Sequence, residues 1–195
     1  MRFSFPNHGV SFSQRLFYSV IALFLAFVVC FMAFQYRREK DYKVELLNTQ
    51  LQYYNDKFNE YLLQQDTLDT HLLEQYVKRH HLDDLRVTLI DSQGKVIYDN
   101  LSKNPGLFKN HLNRTEIKQA IQSGSGYAIH RLSESVGGEF FYSARHYPEL
   151  DIIIRSALPY NVSLIQSLST DPHYIWFTAI ISSVLIGMFY SLTRK

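Results

Sequence analysis

Cysteine is almost absent from this chain: Cys30 is the only one in 195 residues, and it falls inside an apolar run. No disulfide can therefore form within the chain, and whatever folds must be held by its own core. Glycine and proline are missing between Val10 and Gln93, which removes the residues that ordinarily interrupt a helix. Acidic residues are missing from both ends, since all eighteen Asp and Glu lie between Glu39 and Asp171. Each flank of that acidic interval is an uncharged apolar run, residues 16–36 between Arg15 and Arg37, and residues 174–193 before Arg194. Each run is about 20 residues long, enough to cross a hydrocarbon core of ~30 Å as one helix.

The first run is longer than the roughly 7–15 apolar residues of a signal-peptide core. It also ends in Phe31-Met32-Ala33-Phe34-Gln35-Tyr36, with no small-x-small cleavage site. A lipoprotein site at Cys30 is excluded by Val28-Val29 before it and by its depth in the run. The reading is an uncleaved anchor. The expected layout is a cytoplasmic tail (1–15), a first span (16–36), a helical stalk (37–82), a folded domain (83–159), a juxtamembrane helix (160–173), a second span (174–193) and a cytoplasmic end (194–195). Basic residues occur both in the tails and at Arg37, Arg38, Lys40 and Lys43, so they nearly cancel as an orientation signal. The acidic residues of the long segment, and Tyr174 and Trp176 at the start of the second span, favour tails inside and segment outside. Small residues at Ser19, Ala22, Ala26, Cys30 and Ala33, and at Ser183 and Gly187, lie on helical faces that permit close helix approach. Chance composition gives the same pattern.

Between the spans, apolar residues recur at Val44, Leu47, Leu51, Tyr54, Phe58, Tyr61, Leu68 and Leu72, alternating steps of three and four with one break at Gln65. That seam belongs to a long helix packed either on a partner copy or on a sheet of its own domain. Asp66, Thr67, Asp69 and Thr70 offer caps for a second helix from residue 68 to residue 80. The period then changes. Residues 85–91 and 95–99 are β-rich runs around the turn Ser92-Gln93-Gly94, and Asn104-Pro105-Gly106 marks a loop. Residues 115–122 form a short helix stopped by Gly124, and strands follow at 126–131, 139–146 and 151–158. Val136-Gly137-Gly138 makes a turn, and Pro159 opens a helix from Tyr160 that breaks near Asp171-Pro172. The expected fold class is α+β: a long N-terminal helix packed on a central antiparallel sheet of about five strands, between two transmembrane helices.

These residues carry a resemblance. The run from Arg86-Val87-Thr88-Leu89-Ile90-Asp91 through Gly94 to Tyr98-Asp99 resembles the opening hairpin of extracytoplasmic PAS-like (single Cache) sensor domains of bacterial histidine kinases of the phosphate-responsive type. Asn110-His111-Leu112-Asn113-Arg114-Thr115-Glu116-Ile117, with Ala120 and Gly124, resembles the segment that follows. The strands around Glu139–Ala144 and Ile153-Ile154-Arg155 match in order, and the likeness covers residues 85–158. The family has Asp where Asn113 stands and Pro where Thr115 stands. The resemblance implies the signal-sensing and transmembrane-signalling module of a two-component sensor kinase in a bacterial inner membrane, acting as a homodimer on an unknown small-molecule or protein signal. This chain contains no Gly-rich phosphate loop and no acceptor-histidine helix after the second span, so it is expected to lack the kinase transmitter and to be no enzyme itself. The alternative is a stand-alone two-span membrane protein whose outer domain binds a partner protein.

His111 and Arg114 precede the short helix, and Arg131, Tyr142 and Arg145 lie on later strands; these five are the candidate ligand-binding residues. A capping role competes for the first two, with Asn110 or Asn113 as the cap and Arg114 paired to Glu116 or a carbonyl. Alternate residues of a strand share a face, so Tyr142 and Arg145 cannot both point inward without a bulge. His80-His81 beside Asp83-Asp84 has metal-ligand residue types without an established spacing, so no metal and no cofactor is expected. No nucleophile elbow is present to support a hydrolase. The long segment holds sixteen basic and eighteen acidic residues, a balance that disfavours nucleic-acid binding.

Overall fold

The computed structural model describes residues 12–65, 69–80, 82–102, 104, 108–133, 137–169 and 173–193. They form two compact units: residues 42–169, and the N-terminal part of helix α1 with helix α5. The expected caps Asp66 and Thr67, together with Leu68, His81, the Pro105-Gly106 and Val136 turn positions and the Asp171-Pro172 break, lie outside the described residues.

Helix α1 runs as one element from Phe12 to Leu63, and α5 spans His173–Thr193. Two helices are long and apolar enough to cross a membrane, one within residues 14–63 and one within 162–191. Their large side chains point outward: Leu23, Phe27, Trp176 and Phe177 are all exposed, an apolar surface that water alone would not favour. Where the helices meet, the rings of Phe17 and Phe189 stack at 5.4 Å.

The larger unit is an antiparallel sheet of five strands: β1 (Arg86–Asp91), β2 (Val96–Asp99), β3 (Ser125–Leu132), β4 (Glu139–Tyr147) and β5 (Ile152–Pro159). Their order is β2-β1-β5-β4-β3, so the first and last strands lie side by side. The period of two along the strands divides the side chains between the faces, with a register shift opposite Leu89 and Ile90 that sends Val96 and Tyr98 of β2 to opposite sides. Val87, Leu89, Tyr98, Phe141, Tyr147, Ile152 and Ile154 meet α1 and the short helix α2 (Thr70–Arg79) on one face. Ile90, Val96, Ala144 and Ile153 meet Ile117 and Ala120 of helix α3 (Thr115–Ser123) on the other. The expected α+β class is the observed one.

The heptad seam of α1 faces the chain's own sheet. Val44, Leu51, Tyr54, Phe58 and Leu62 are buried there, with Leu47 and Tyr61 partly so. Asp69 caps α2, its Oδ1 accepting from the amide of His71 at 3.1 Å, and Tyr76 stacks on Phe58 at 4.8 Å. A polar stripe runs beside the apolar one. Gln52 Nε2 donates to Ser143 Oγ at 2.8 Å and to the Ala144 carbonyl at 2.9 Å, while Ser143 Oγ donates to Asn48 Oδ1 at 2.7 Å. One expected boundary is corrected. Pro159 does not open a helix; it is the last residue of β5, paired with Phe140, because a proline at a strand end leaves no ladder donor unmet. The next helix, α4, is Val162–Leu168, with Asn161 Oδ1 accepting from the Leu164 amide at 3.0 Å.

Candidate functional site

On the face of the sheet away from α1, strand alternation gathers charged side chains into an otherwise apolar layer. Arg86 and Thr88 on β1, Arg155 on β5 and Tyr142 on β4 all point to this side, and each is almost fully buried. Asp99 lies opposite Thr88 across the hairpin. Arg86 donates from Nε to Asp99 Oδ2 at 2.9 Å, and its Nη2 lies 2.8 Å from the same oxygen. Thr88 Oγ1 donates to that oxygen at 2.9 Å and accepts from Arg155 Nη2 at 3.1 Å. Arg86 Nη1 donates to Ser133 Oγ at 3.0 Å. This half of the cluster is well supplied with partners.

The other half is less complete. Glu116, wholly buried on the first turn of α3, accepts through Oε1 from Arg131 Nη2 at 2.8 Å and from Arg155 Nη1 at 3.3 Å. The Tyr142 ring lies against both guanidinium groups, 3.9 Å from Arg131 and 4.8 Å from Arg155. Glu116 Oε2, Arg131 Nε and Arg155 Nε are buried with no hydrogen-bond partner. Such atoms are uncommon in a folded interior, because each costs about 1–3 kcal/mol, more when charged.

Two glycines place this layer. A Cβ on Gly126 would come within 2.4 Å of the Glu116 carbonyl and of Gln119 Cβ, so its hydrogen lets α3 lie directly on β3. Gly94, at φ +82°, occupies the left-handed region of the β1–β2 turn that a side chain would strain. Its carbonyl accepts from the His111 amide at 2.8 Å, and Asn110 Nδ2 donates to the neighbouring Gln93 carbonyl at 2.6 Å. The loop carrying His111 is thereby fixed on the hairpin turn, with the His111 ring stacked on Phe108.

The local field is positive. Burial first, and then Arg155, Arg114, Arg131 and Arg86, push the His111 imidazole down to about 3, so it is neutral at ordinary pH. Burial lowers Arg155 to about 10; Glu116 opposes that shift, while Arg131 and Arg86 add to it. His111 Nδ1 is also buried and unpartnered.

Of the five candidate residues, the structure brings His111, Arg131 and Tyr142 to this layer. Arg114 stands at the N-cap position of α3 without a side-chain cap bond. Neither Asn110 nor Asn113 caps that helix; Asn110 instead accepts from the Leu112 amide at 2.8 Å and braces the hairpin turn. Arg145 lies on the opposite face, bound to Asp56 of α1 at 2.9 Å, as strand alternation from Tyr142 requires. Arg86, Thr88, Asp99, Glu116 and Arg155 were not among the candidates. The signal for them was an arginine inside an apolar strand, Ile153-Ile154-Arg155, and the period-two set Arg86, Thr88, Ile90 on one strand face. Of the metal candidates, His80 rests its ring on Tyr76 at 4.1 Å. Among the described residues no three His, Cys, Asp or Glu side chains are grouped as a metal would need.

No family model matches this sequence, and no curated protein matches it. Solved structures do resemble the fold. One is the extracellular domain of a protein assigned as a histidine kinase, 15% identical with a TM-score of 0.39, covering 49% of this chain and 39% of that one. Another is a Cache chemosensory domain described in connection with carboxylic acid recognition, 10% identical with a TM-score of 0.37, covering 60% of this chain and 88% of that one.

Proposed function

We propose that the chain is the signal-sensing and transmembrane-signalling module of a two-component sensor histidine kinase in a bacterial inner membrane, with residues 42–169 outside the cell and the charged layer beneath α3 as the ligand site. The observation that carries this reading is the layer itself: Glu116, Arg131 and Arg155 form a buried charged cluster with three polar atoms unmet. A charged interior of this kind is expensive to keep for stability alone. It is the kind of site that a polar ligand completes.

Covalent continuity supplies the route of the signal. Each end of the sheet unit joins an apolar helix, α1 on one side and the segment leading to α5 on the other. A ligand that binds two shapes of the sheet unit with different affinity shifts their populations, and displacement of a helix is then the available output. Such proteins act as symmetric dimers, and a dimer through the small-residue faces of the spans fits this mechanism.

The test is disulfide cross-linking of the full chain in membranes, with Cys30 replaced by Ala and single cysteines placed along α5. A sensor module gives a cross-linking pattern that changes when its signal is added. A pattern unchanged by every extract of the growth environment that thermally stabilises the protein would favour a passive, partner-binding role. Attachment to a kinase is read separately, from an immunoblot of native membranes with an antibody to residues 42–169. A band far above 22.9 kDa supports a transmitter in the same polypeptide, and a band near that mass removes it.

A further inference from the structure

We propose that a second site, apart from the charged layer beneath α3, lies at the end of the sheet unit where α1 and α3 both terminate, and that it takes an aliphatic ammonium group. The cavity there is about 670 Å³, lined by Asp56, Asn59, Glu60 and Leu63 of α1, by residues 123–125 at the end of α3, and by the end of β4 with the turn after it. A volume of that size is usual for a small-ligand site. The inference does not depend on the reading of the Glu116 layer.

The cavity favours positive charge. Among its described lining residues are three carboxylates, Asp56, Glu60 and Glu149, and one guanidinium, Arg145. That guanidinium is committed to Asp56 Oδ2 at 2.9 Å, while the Tyr147 hydroxyl donates to Asp56 Oδ1 at 2.7 Å. Glu60 pairs with Lys57 at 2.7 Å, but both side chains are about half exposed, and such a surface pair contributes little. Neither α1 nor α3 carries a basic residue in its last turn, so the partial negative charge of two helix C-termini adds to the carboxylates.

An acidic rim alone would attract any cation; Asn59 narrows the choice. This side chain lines the cavity yet is only 8% exposed, and its Oδ1 is buried with no hydrogen-bond partner. The amide turns on a soft χ2 torsion, so its oxygen can meet an entering donor. A lone amide oxygen suits a compact ammonium with its three N–H donors, whereas a planar guanidinium seeks two oxygens side by side. A bare divalent ion is poorly served, because among the described residues no three His, Cys, Asp or Glu side chains are grouped to ligate one. Leu63, in the cavity wall and 51% exposed, offers the aliphatic stem an apolar contact.

A free amine and the lysine side chain of another protein share this chemistry, and the experiment separates them. The full chain, in nanodiscs of zwitterionic lipid, is titrated by calorimetry with butylammonium, putrescine, acetyl-lysine-amide, the uncharged diol of putrescine's length, and Mg²⁺. The ammonium probes are expected to bind, and the diol and Mg²⁺ are not. Asn59→Leu is expected to weaken butylammonium about tenfold or more, as loss of a hydrogen bond to a charged group requires. Glu149→Gln is expected to weaken it about two- to fivefold. Glu149 is exposed on a turn, so this variant keeps the fold and decides the location should Asn59→Leu not fold. At equal charge, tighter binding of acetyl-lysine-amide than of butylammonium assigns the site to a protein partner. The reverse assigns it to a free amine, and equality means that the cleft reads the ammonium and its stem alone. Mg²⁺ binding as tightly as putrescine, its equal in charge, would reduce the cleft to a diffuse acidic surface and overturn the proposal. No binding of any ammonium probe, or binding unchanged in both variants, overturns it as well, and each of these results leaves the cross-linking test of the sensor reading untouched.

Discussion

At the residue scale, His111 shows what the arginine layer does to a neighbour. In the unfolded chain its imidazole takes a proton below about 6.5, whereas in the fold it stays neutral until about 3. The stability tied to its neutral form is therefore fully present above 6.5 and is lost as pH falls, since the unfolded state then binds a proton that the folded state does not. The loss approaches ~1.4 kcal/mol per pH unit once the unfolded imidazole is charged. Urea unfolding of wild type and His111→Gln between pH 7 and pH 5 isolates this slope from that of the other histidines. The wild type should lose about 1–2 kcal/mol more than the variant across that range; parallel lines would mean that His111 is accessible to protons in the folded state. Sequence reading could place His111 near the site because its segment resembled a known one. It could not see Glu116 and Arg155 as partners, because they are 39 positions apart and meet only when α3 settles on the sheet.

At the element scale, the strands and helices were largely legible from periodicity, and the sides they face were not. The seam from Val44 to Tyr61 specified a long helix with one apolar stripe, which fits equally a coiled coil and a helix on a sheet. What resolves it is the stripe beside the seam. Asn48, Gln52 and Asn55 lie off the apolar seam, and Gln52 and Asn55 are buried against β4. Ser143, a small residue among aromatic neighbours, is the only sequence hint of their docking point. The stripe is unevenly satisfied. Asn55 is completely buried, its Nδ2 makes only a long bond of 3.4 Å to the Ser143 carbonyl, and its Oδ1 has no partner. Replacing a poorly paired buried amide by an apolar group of similar shape is neutral or stabilising, while replacing a well-paired one is costly. Asn55→Leu should therefore leave the unit as stable as wild type or raise it by ~1 kcal/mol, whereas Gln52→Leu, which loses the two short Nε2 bonds although Gln52 Oε1 is also unmet, should lower it by about 1 kcal/mol. Chemical denaturation of the two variants checks the order, and a loss at Asn55 as large as that at Gln52 would show that the Asn55 amide is fully engaged.

At the scale of the whole molecule, the division into two units separates two ways of burying apolar surface. The sheet unit turns Leu51, Phe58, Val87, Leu89, Phe141 and Ile154 inward to at most 2% exposure, while Leu23, Phe27, Trp176 and Phe177 on α1 and α5 remain outward. Those outward side chains belong to helices long and apolar enough to cross a membrane, whereas the sheet unit buries its apolar residues within itself. Its core is closed by its own stretch of α1, by α2 and α4 and by the sheet, and the free cysteine lies outside it, so no disulfide holds it together. Residues 42–169 expressed alone should thus unfold in one cooperative step in urea, with an m-value of about 1–3 kcal/mol/M as for other small domains. The cut at residue 42 falls where α1 presents Tyr42 at 63% exposure, before the first buried seam residue, Val44. A broad or biphasic transition would mean that the seam needs the rest of α1 to stay helical, and that the two units share one folding event. A single sharp transition makes the sheet unit a self-sufficient folding unit whose stability can be measured apart from α5 and the N-terminal part of α1.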